Sequence, residues 1–256
     1  MRHILSLSGG KDSTALAVYL KPRIPDLEYI FADTCKELPE TYEYLNRIEQ
    51  ALDIEIIRVG ADKGFDWHLE RKGNYLPSAR ARWCTGVLKI RPIEAYIGDD
   101  DVTMYLGFRA DEDRKGHIAK RPNIVPAYPF VDDGIVFEDV RSILAESGIG
   151  FPDYYSWRTR SGCFFCFFQR LYEWVGLLQT HPALFEEAAS YEKDGFTWIS
   201  YKNESLRQLS QPKRVADITR KHERKLELAR ERNAAAGLDD VLSGEMTDDP
   251  CTVCVL

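Results

Sequence analysis

A glycine-rich segment near the start of the chain has the residue types of a phosphate-binding loop. It reads Ser8-Gly9-Gly10-Lys11-Asp12-Ser13-Thr14. Two adjacent glycines let the backbone approach an anion closely, and the lysine and three hydroxyl side chains supply further donors. The order differs from that of a Walker loop, in which the lysine follows a second glycine. The segment therefore predicts a phosphate cradle of another kind.

Six cysteines form a second set of residues that could do chemistry. They are Cys35, Cys84, the Cys-x-x-Cys pair Cys163 and Cys166, and a second such pair, Cys251 and Cys254. Thiolates on a short turn can hold zinc, hold an iron–sulfur cluster or exchange as a dithiol. We interpret the tail pair as incidental exposed thiols, with a sulfur-relay pair as the alternative.

The composition indicates a globular protein outside the membrane. The chain has 256 residues, of which 44% are hydrophobic and 29% charged, and it contains no apolar run near the roughly 20 residues that span a bilayer. We expect a cytoplasmic protein with no membrane partner, in which metal or redox chemistry of the cysteines is favoured over disulfides. The net charge of −7 argues against binding nucleic acid by bulk charge, although residues 213–232 are locally basic.

Alternating strand-like and helix-like segments predict where these residues lie. The strand-like runs are 4–6, 27–32, 54–59 and 102–107, and the helix-like segments between them are 13–20, 39–52 and about 86–96. This order predicts an α/β fold, a parallel sheet flanked by helices. Ligands of such sheets bind beyond the carboxyl ends of the strands. Residues 8–13, 33–35 and 108–114 are therefore expected around one crevice.

The pattern changes to loops and helices after about residue 124, which suggests a division of the chain. We divide it into a nucleotide-binding α/β domain at 1–130, a cysteine-containing and mainly helical lobe at 131–240, and a flexible tail at 241–256.

Several segments resemble, in the same order, those of the phosphoadenylylsulfate reductase family. Besides the loop at 8–14, which is similar to the SGGxDS loop of PP-loop ATP pyrophosphatases, they are residues 31–42, 82–92, 107–114, 128–140 and 154–166. They cover roughly residues 4–170, and the chain is identified as a member of this superfamily. The resemblance implies the adenine nucleotide alpha hydrolase-like fold, with a helical C-terminal extension.

The resemblance also implies a nucleotide site. ATP and Mg²⁺ would bind at the loop, with Asp33 and Thr34 beside the nucleotide; Lys11, Asp12, Ser13, Arg109 and Arg114 would be catalytic. A guanidinium at this edge of a sheet is the natural clamp for phosphate or sulfate. The alternatives are that Asp33 and Glu37 only cap the helix near Pro39, and that the two arginines are surface charges.

The same resemblance implies a [4Fe–4S] cluster. Iron–sulfur adenylylsulfate reductases carry Cys-Cys before Cys-x-x-Cys, and here Trp83 stands where the first cysteine is usual. Cys84, Cys163 and Cys166 would hold the cluster, with Cys35 or an exogenous group as the fourth ligand. Zinc, and simple packing of Cys35 and Cys84, are the alternatives.

Three functions follow from the resemblance. The sequence at 82–85 and 160–166 is similar to that of the ATP pyrophosphatases of DNA phosphorothioation systems. This similarity implies cleavage of ATP to AMP and pyrophosphate, with DNA as the acceptor. It also implies a cysteine desulfurase as sulfur donor and other DNA-modification subunits as partners. Residues 213–232, Arg158 and Arg160 would then contact DNA phosphates. The alternatives are an adenylylsulfate or phosphoadenylylsulfate reductase that releases sulfite, and a tRNA thiolation enzyme; a non-catalytic nucleotide sensor is the remaining possibility.

Overall fold

The structure is a computed structural model, and it describes residues 1–112, 121–193 and 195–235. Arg114, Cys251, Cys254 and the tail at 241–256 lie outside these ranges.

Five parallel strands form the central sheet. They are β1 (Arg2–Leu7), β2 (Leu27–Ala32), β3 (Ile56–Val59), β4 (Val102–Tyr105) and β5 (Ile124–Ala127). Their order across the sheet is β3-β2-β1-β4-β5, so the chain moves outward through β2 and β3 and then crosses to the other side of β1. This reversal between β1 and β4 is a topological switch point, where such sheets bind ligands. The loop that follows β1 begins at this point.

Helices cover the sheet and form the C-terminal part of the described chain. They are α1 (Lys11–Leu20), α2 (Pro39–Leu52), α3 (Phe65–Arg71), α4 (Trp83–Thr85), α5 (Arg91–Ile97), α6 (Pro129–Asp132), α7 (Phe137–Glu146), α8 (Leu171–Thr180), α9 (Pro182–Ser190), α10 (Leu206–Leu209) and α11 (Pro212–Ala235). A π-helical turn, Gly86–Ile90, joins α4 to α5, and 3₁₀ turns lie at Asp153–Ser156 and Ser200–Lys202. None of these helices combines the length and apolar character needed to cross a membrane.

Both faces of the sheet are buried, which explains why residues 4–7 of β1 are apolar except for Ser6. Leu5 and Leu7 point to one face and pack in a core with α1, α2 and α7, whereas Ile4 points to the other and packs with α5. Successive side chains of a strand alternate between the faces, so only a strand covered on both sides is apolar at nearly every position.

A third core joins the C-terminal helices to α3 and the π-helical turn. Trp174, Phe185 and Trp198 are buried in it together with Phe65 and Leu88. Burying one large apolar side chain contributes about 1.5–3 kcal/mol. This core therefore holds the segment after residue 150 beside the carboxyl ends of β2 and β3.

The predicted α/β fold with a parallel sheet and a helical extension is confirmed, but the unpredicted elements include strand β5 and helix α3. The short strand β5 contains Pro126, which removes a backbone donor; this is tolerated because β5 is an edge strand. Helix α3 also falls in a stretch without a predicted element. The domain division stays a prediction, and helix α7 of the second predicted unit packs against α1.

Candidate functional site

Hydrogen bonds within the loop at 8–14 fix its shape at the carboxyl end of β1. The Ser13 hydroxyl accepts a hydrogen bond from the Ser8 N–H (3.1 Å) and donates one to the Gly10 carbonyl (3.1 Å). The Thr14 hydroxyl donates to the same carbonyl (2.9 Å). Gly9 has a φ of +70°, a conformation that L side chains rarely adopt. The first turn of α1 therefore begins in a compact, glycine-dependent loop.

Glycines also allow two distant segments to reach this loop. A Cβ atom at Gly10 would lie 2.8 Å from the Ser161 Oγ, and one at Gly107 would lie 3.0 Å from the backbone carbonyl group of Asp12. Both distances are shorter than ordinary contacts of a real side chain. Gly10 thus leaves room for the Cys-x-x-Cys segment, and Gly107 leaves room for the loop after β4.

Three hydroxyl groups of the segment at 154–161 contact the phosphate loop. The Tyr154 hydroxyl donates to the Gly9 carbonyl (2.6 Å), and the Lys11 N–H donates to the Tyr155 hydroxyl (3.4 Å). The Ser161 hydroxyl donates to the Ser8 hydroxyl (3.2 Å). The wall of the loop is therefore built from two parts of the chain that are about 150 residues apart.

Asp12 brings two cations together at the loop. It accepts hydrogen bonds from the Lys11 Nζ (3.1 Å) and from an Arg109 Nη (2.8 Å). Arg109 also pairs with Asp111 and Glu112, and its side chain is only 13% exposed. Burial lowers the pKa of Arg109, but the Asp12 charge and the other two carboxylates outweigh burial and raise it overall. Arg109 therefore remains charged where β4 ends.

Asp33 closes a turn after β2 and does not cap α2. Its Oδ1 accepts hydrogen bonds from the Cys35 N–H and the Tyr42 hydroxyl, both at 2.8 Å. The residue that caps α2 is Leu38, which makes no side-chain capping bond. The capping alternative is wrong for Asp33, because its carboxylate is taken up by this turn. Cys35 is exposed, with a left-handed φ of 55°.

A cleft of about 220 Å³ opens at the carboxyl ends of β2 and β3. Its wall comprises residues 33–35, 58–61, 63–64 and 88. Arg58 and Lys63 supply positive charge and Asp33 negative charge. A cleft of this size suits one moiety of a nucleotide rather than a whole drug-sized ligand.

The Cys-x-x-Cys turn docks on the segment that follows β2. The Cys163 Sγ lies 3.2 Å from the Thr34 Oγ1 and 3.7 Å from a Glu37 carboxylate oxygen, and the Phe164 N–H donates to the Lys36 carbonyl (2.8 Å). Glu37 is buried; the Thr34 hydroxyl donates to its Oε1, and the other oxygen has no partner among the described residues. Glu37 thus faces the thiol and does not serve as a helix cap.

Arg158 holds the backbone of this turn and cannot contact DNA. It is 1% exposed and donates to the Gly162 carbonyl (3.0 Å) and the Cys163 carbonyl (2.9 Å). The expectation that Arg158 is a DNA contact is therefore wrong, because its guanidinium is buried inside the turn that it holds. Arg160 remains partly exposed.

Burial favours the protonated form of the Cys84 and Cys163 thiols. Burial, and then the nearby Cys166, raise the pKa of Cys84 to about 11, opposed by Lys89. Burial and Glu37 raise the pKa of Cys163 well above its ordinary value. Cys166 thus lies within electrostatic reach of both other thiols. Across residues 1–112, 121–193 and 195–235, no three His, Cys, Asp or Glu side chains are arranged to hold a metal ion.

The residues that sequence reasoning missed are those that join the two halves of the site. Tyr154, Tyr155 and Ser161 lie in the segment at 154–166 that was singled out, but none of the three was named as a site residue. Their role depends on contacts across more than 140 residues, which spacing along the chain does not show.

Comparisons with known proteins agree with this geometry. Residues 2–125 match the family described as the phosphoadenosine phosphosulfate reductase domain. An uncharacterized protein of Methanocaldococcus jannaschii is 27% identical over 71% of this chain and 45% of its own length. Adenosine 5'-phosphosulfate reductase of Salinibacter ruber is 26% identical over 36% of each chain. The chain thus spans less than half the length of these curated relatives.

A solved structure shows the same fold. Phosphoadenylyl-sulfate reductase from Candida auris superposes with a TM-score of 0.51 at 14% identity, over 64% of this chain and 81% of that one. The chain therefore has the fold of a phosphoadenylyl-sulfate reductase and carries, over residues 2–125, the sequence pattern of the phosphoadenosine phosphosulfate reductase domain.

Proposed function

We propose that this chain is an ATP pyrophosphatase that adenylylates a substrate for sulfur insertion. One observation carries the proposal: a three-residue stretch touches both the phosphate loop and the thiol site. The Ser161 hydroxyl bonds to Ser8, and the Cys163 thiol lies against Thr34. A nucleotide held by the loop would therefore lie near Cys163, whose thiol could carry sulfur.

In this proposal the loop and its two cations bind the phosphates of ATP. Backbone N–H groups of Gly9, Gly10, Asp12 and Ser13, together with the charges of Lys11 and Arg109, stabilise the negative charge that develops on pyrophosphate. Asp12 keeps both cations in place. The cleft beside Asp33 and Thr34 accepts the adenosine. A magnesium ion on the phosphates supplies further positive charge when it is bound.

Cys84, Cys163 and Cys166 would hold a [4Fe–4S] cluster. Cys166 lies within electrostatic reach of both Cys84 and Cys163, and thiols are donors of the type that such clusters take. Metal binding would release the protons that burial favours on Cys84 and Cys163. When bound, the cluster supplies an iron site for sulfur.

The proposed acceptor is the DNA backbone. The support is the similarity of residues 82–85 and 160–166 to phosphorothioation enzymes. A phosphate oxygen of DNA would attack the α-phosphorus of ATP and release pyrophosphate. The terminal sulfur of a persulfide, supplied by a cysteine desulfurase, would then attack the DNA phosphorus and release AMP. A second thiol would cleave the resulting sulfur–sulfur bond, supplying two electrons and leaving sulfur on the phosphorus.

A reductase is the second candidate, and the family match over residues 2–125 favours it. Such an enzyme would take an adenylylated sulfate and release sulfite with electrons from thiols. It would need no ATP.

Sulfur transfer can be tested directly. The protein is incubated anaerobically with a cysteine desulfurase, radiolabelled cysteine and either DNA or tRNA, with and without ATP. Label that enters DNA only with ATP, and not with Lys11→Ala, supports the proposal. Label in tRNA instead assigns a thiolase, and sulfite formed from adenylylsulfate without ATP assigns a reductase; either result contradicts a DNA acceptor.

A further inference from the structure

One aromatic ring lies against both cations of the phosphate loop. The Lys11 Nζ lies 5.6 Å and the Arg109 Cζ lies 5.4 Å from the centroid of Phe137, the first residue of α7. Both cations are also bound to Asp12, Lys11 to one oxygen of its carboxylate and Arg109 to the other. The two charges are therefore neighbours, and Phe137 and Asp12 contact the same pair.

The fold holds this ring in place by contacts that involve neither cation. The Ala110 N–H donates to the Ile135 carbonyl (2.9 Å), which ties the loop after β4 to the start of α7. Within α7, Val140 and Leu144 are fully buried in the core that also contains residues of α1. Phe137 thus lies where α1, the loop after β4 and α7 meet.

An aromatic ring suits this position electrostatically. Its face is negative and attracts a cation, and the attraction is stronger where water is excluded. The side chains of Lys11 and Arg109 are only 14% and 13% exposed. The ring of Tyr155 adds a second such contact, 5.4 Å from the Lys11 Nζ. Unlike a carboxylate, a ring attracts these cations without neutralising them, so their charge stays available to a phosphate.

We propose that Phe137 is a positioning residue that holds Lys11 and Arg109 together for the phosphates of the nucleotide. The proposal rests on the proposed function, in which these two cations stabilise the charge that develops on pyrophosphate. The ring limits how far either cation can turn when a phosphate competes with Asp12 for it. Without the ring the cations would spread apart, and their charge would no longer be preorganised for the transition state.

Steady-state kinetics of ATP cleavage by the full chain tests this role. Phe137→Leu removes the aromatic face but keeps an apolar side chain, and it should lower kcat about tenfold while KM for ATP changes by less than about twofold. Phe137→Tyr keeps the face and should recover at least about half of the unaltered kcat. Because Phe137 is only partly buried, both variants are expected to fold.

The matched control is an aromatic residue with a similar contact outside the site. The exposed ring of Tyr201 lies 5.6 Å from the Lys202 Nζ, and Tyr201→Leu should keep the unaltered kcat. As large a loss in Tyr201→Leu or in Phe137→Tyr as in Phe137→Leu would overturn the proposal, and so would a raised KM with an unchanged kcat.

A double variant shows whether Phe137 acts through the cations. In Arg109→Met one of them is already lost, so adding Phe137→Leu should lower kcat by a smaller factor than it does in the unaltered chain. The same factor in both backgrounds would show that Phe137 does not act through Arg109 and would overturn the proposal.

Binding of inorganic pyrophosphate, measured by calorimetry without ATP, separates this proposal from the proposed function. Phe137→Leu should weaken it about fivefold, and Phe137→Tyr by less than about twofold. A chain that binds pyrophosphate in this way but does not cleave ATP would overturn only the proposed function. Cleavage to AMP and pyrophosphate with the same kcat and pyrophosphate affinity in Phe137→Leu would overturn only the role of Phe137. A chain that neither cleaves ATP nor binds pyrophosphate would overturn both.

Discussion

The hydroxyl of Ser161 lies 3.2 Å from the hydroxyl of Ser8, so one residue of the thiol-bearing segment belongs to the wall of the phosphate loop. Two residues later, the Cys163 carbonyl is held by the buried Arg158, and the Cys163 thiol lies against Thr34. Since this short stretch is fixed at both ends, we expect a ligand that moves the loop to move the thiol as well. The phosphate loop and the thiol segment are therefore in direct contact within one site.

Replacing Gly10 should separate the loop from Ser161. In Gly10→Ala, the new Cβ would lie 2.8 Å from the Ser161 Oγ, and one of the two segments must shift. We expect AMP formation from ATP to fall about 10- to 100-fold, as for other small misplacements of catalytic groups. Chromatography of the nucleotides measures it.

The cause of that loss can be isolated. Adding Ser161→Gly to Gly10→Ala removes the clashing atoms but also the hydroxyl that bonds to Ser8, and should therefore restore part of the activity. Gly86→Ala, at a glycine with no atom within 4 Å of the new Cβ, is the control and should remain fully active. A double variant no better than Gly10→Ala would rule out the contact with Ser161 as the reason.

Arg109 should act on the rate of ATP cleavage more than on ATP binding. Arg109→Met removes a cation that Asp12 holds 2.8 Å away at the end of β4, and it should lower kcat by about 10²–10³. Arg141→Met, at an exposed arginine that pairs only with Glu138 among the contacts seen here, is the control. Steady-state kinetics with ATP tests this. An unchanged kcat would show that Arg109 takes no part in ATP cleavage.

The thiols should bind iron as a group. Protein purified without air is expected to be brown, and Cys84→Ser, Cys163→Ser and Cys166→Ser should each lose iron and visible absorption. Cys35→Ser should keep its iron, since Cys35 is exposed and its turn is closed by Asp33. Metal analysis that finds zinc in a colourless protein would contradict the cluster.

The ion pair between β1 and β2 should make stability depend on pH. Arg2 donates to Glu28 and lowers the pKa of that carboxyl group. A lowered folded-state pKa stabilises the fold above the unfolded value of about 4.3, and the stabilisation is lost as the pH falls through the folded value. Glu28→Gln should therefore lower the free energy of unfolding by up to about 1 kcal/mol at pH 7 and leave it unchanged in strong acid.

Thermal unfolding over this pH range measures the difference. Glu138→Gln, at an exposed carboxylate, is the control and should lie near the unaltered chain at every pH. An effect of Glu28→Gln that persists in strong acid would show that the charge is not the cause.

Local patterns predicted the sheet well because its strands are buried on both faces. Ile4, Leu5 and Leu7 are apolar for that reason. The glycine pair at 9–10 indicates the loop in which it lies. β5 escaped prediction because an edge strand of four residues needs little apolar pattern and tolerates Pro126.

The contacts that complete the site could not be predicted in this way. Arg158 was expected to contact DNA phosphates, yet it is buried and both its Nη atoms donate to the Gly162 and Cys163 carbonyls. The hydrogen bond from Tyr154 to the Gly9 carbonyl likewise depends on how the third core places the later segment. Such pairings follow from packing over long sequence separations, which residue spacing does not encode.

The central claim is that the loop at 8–14 cleaves ATP between its α and β phosphates. The most direct test is anaerobic incubation with ATP, Mg²⁺ and DNA as the acceptor. The amounts of AMP, pyrophosphate, ADP and phosphate are then measured. We predict equal amounts of AMP and pyrophosphate from the unaltered chain and about 10²–10³-fold less from Lys11→Ala. Formation of ADP and phosphate, or AMP formation that Lys11→Ala leaves intact, would contradict the account.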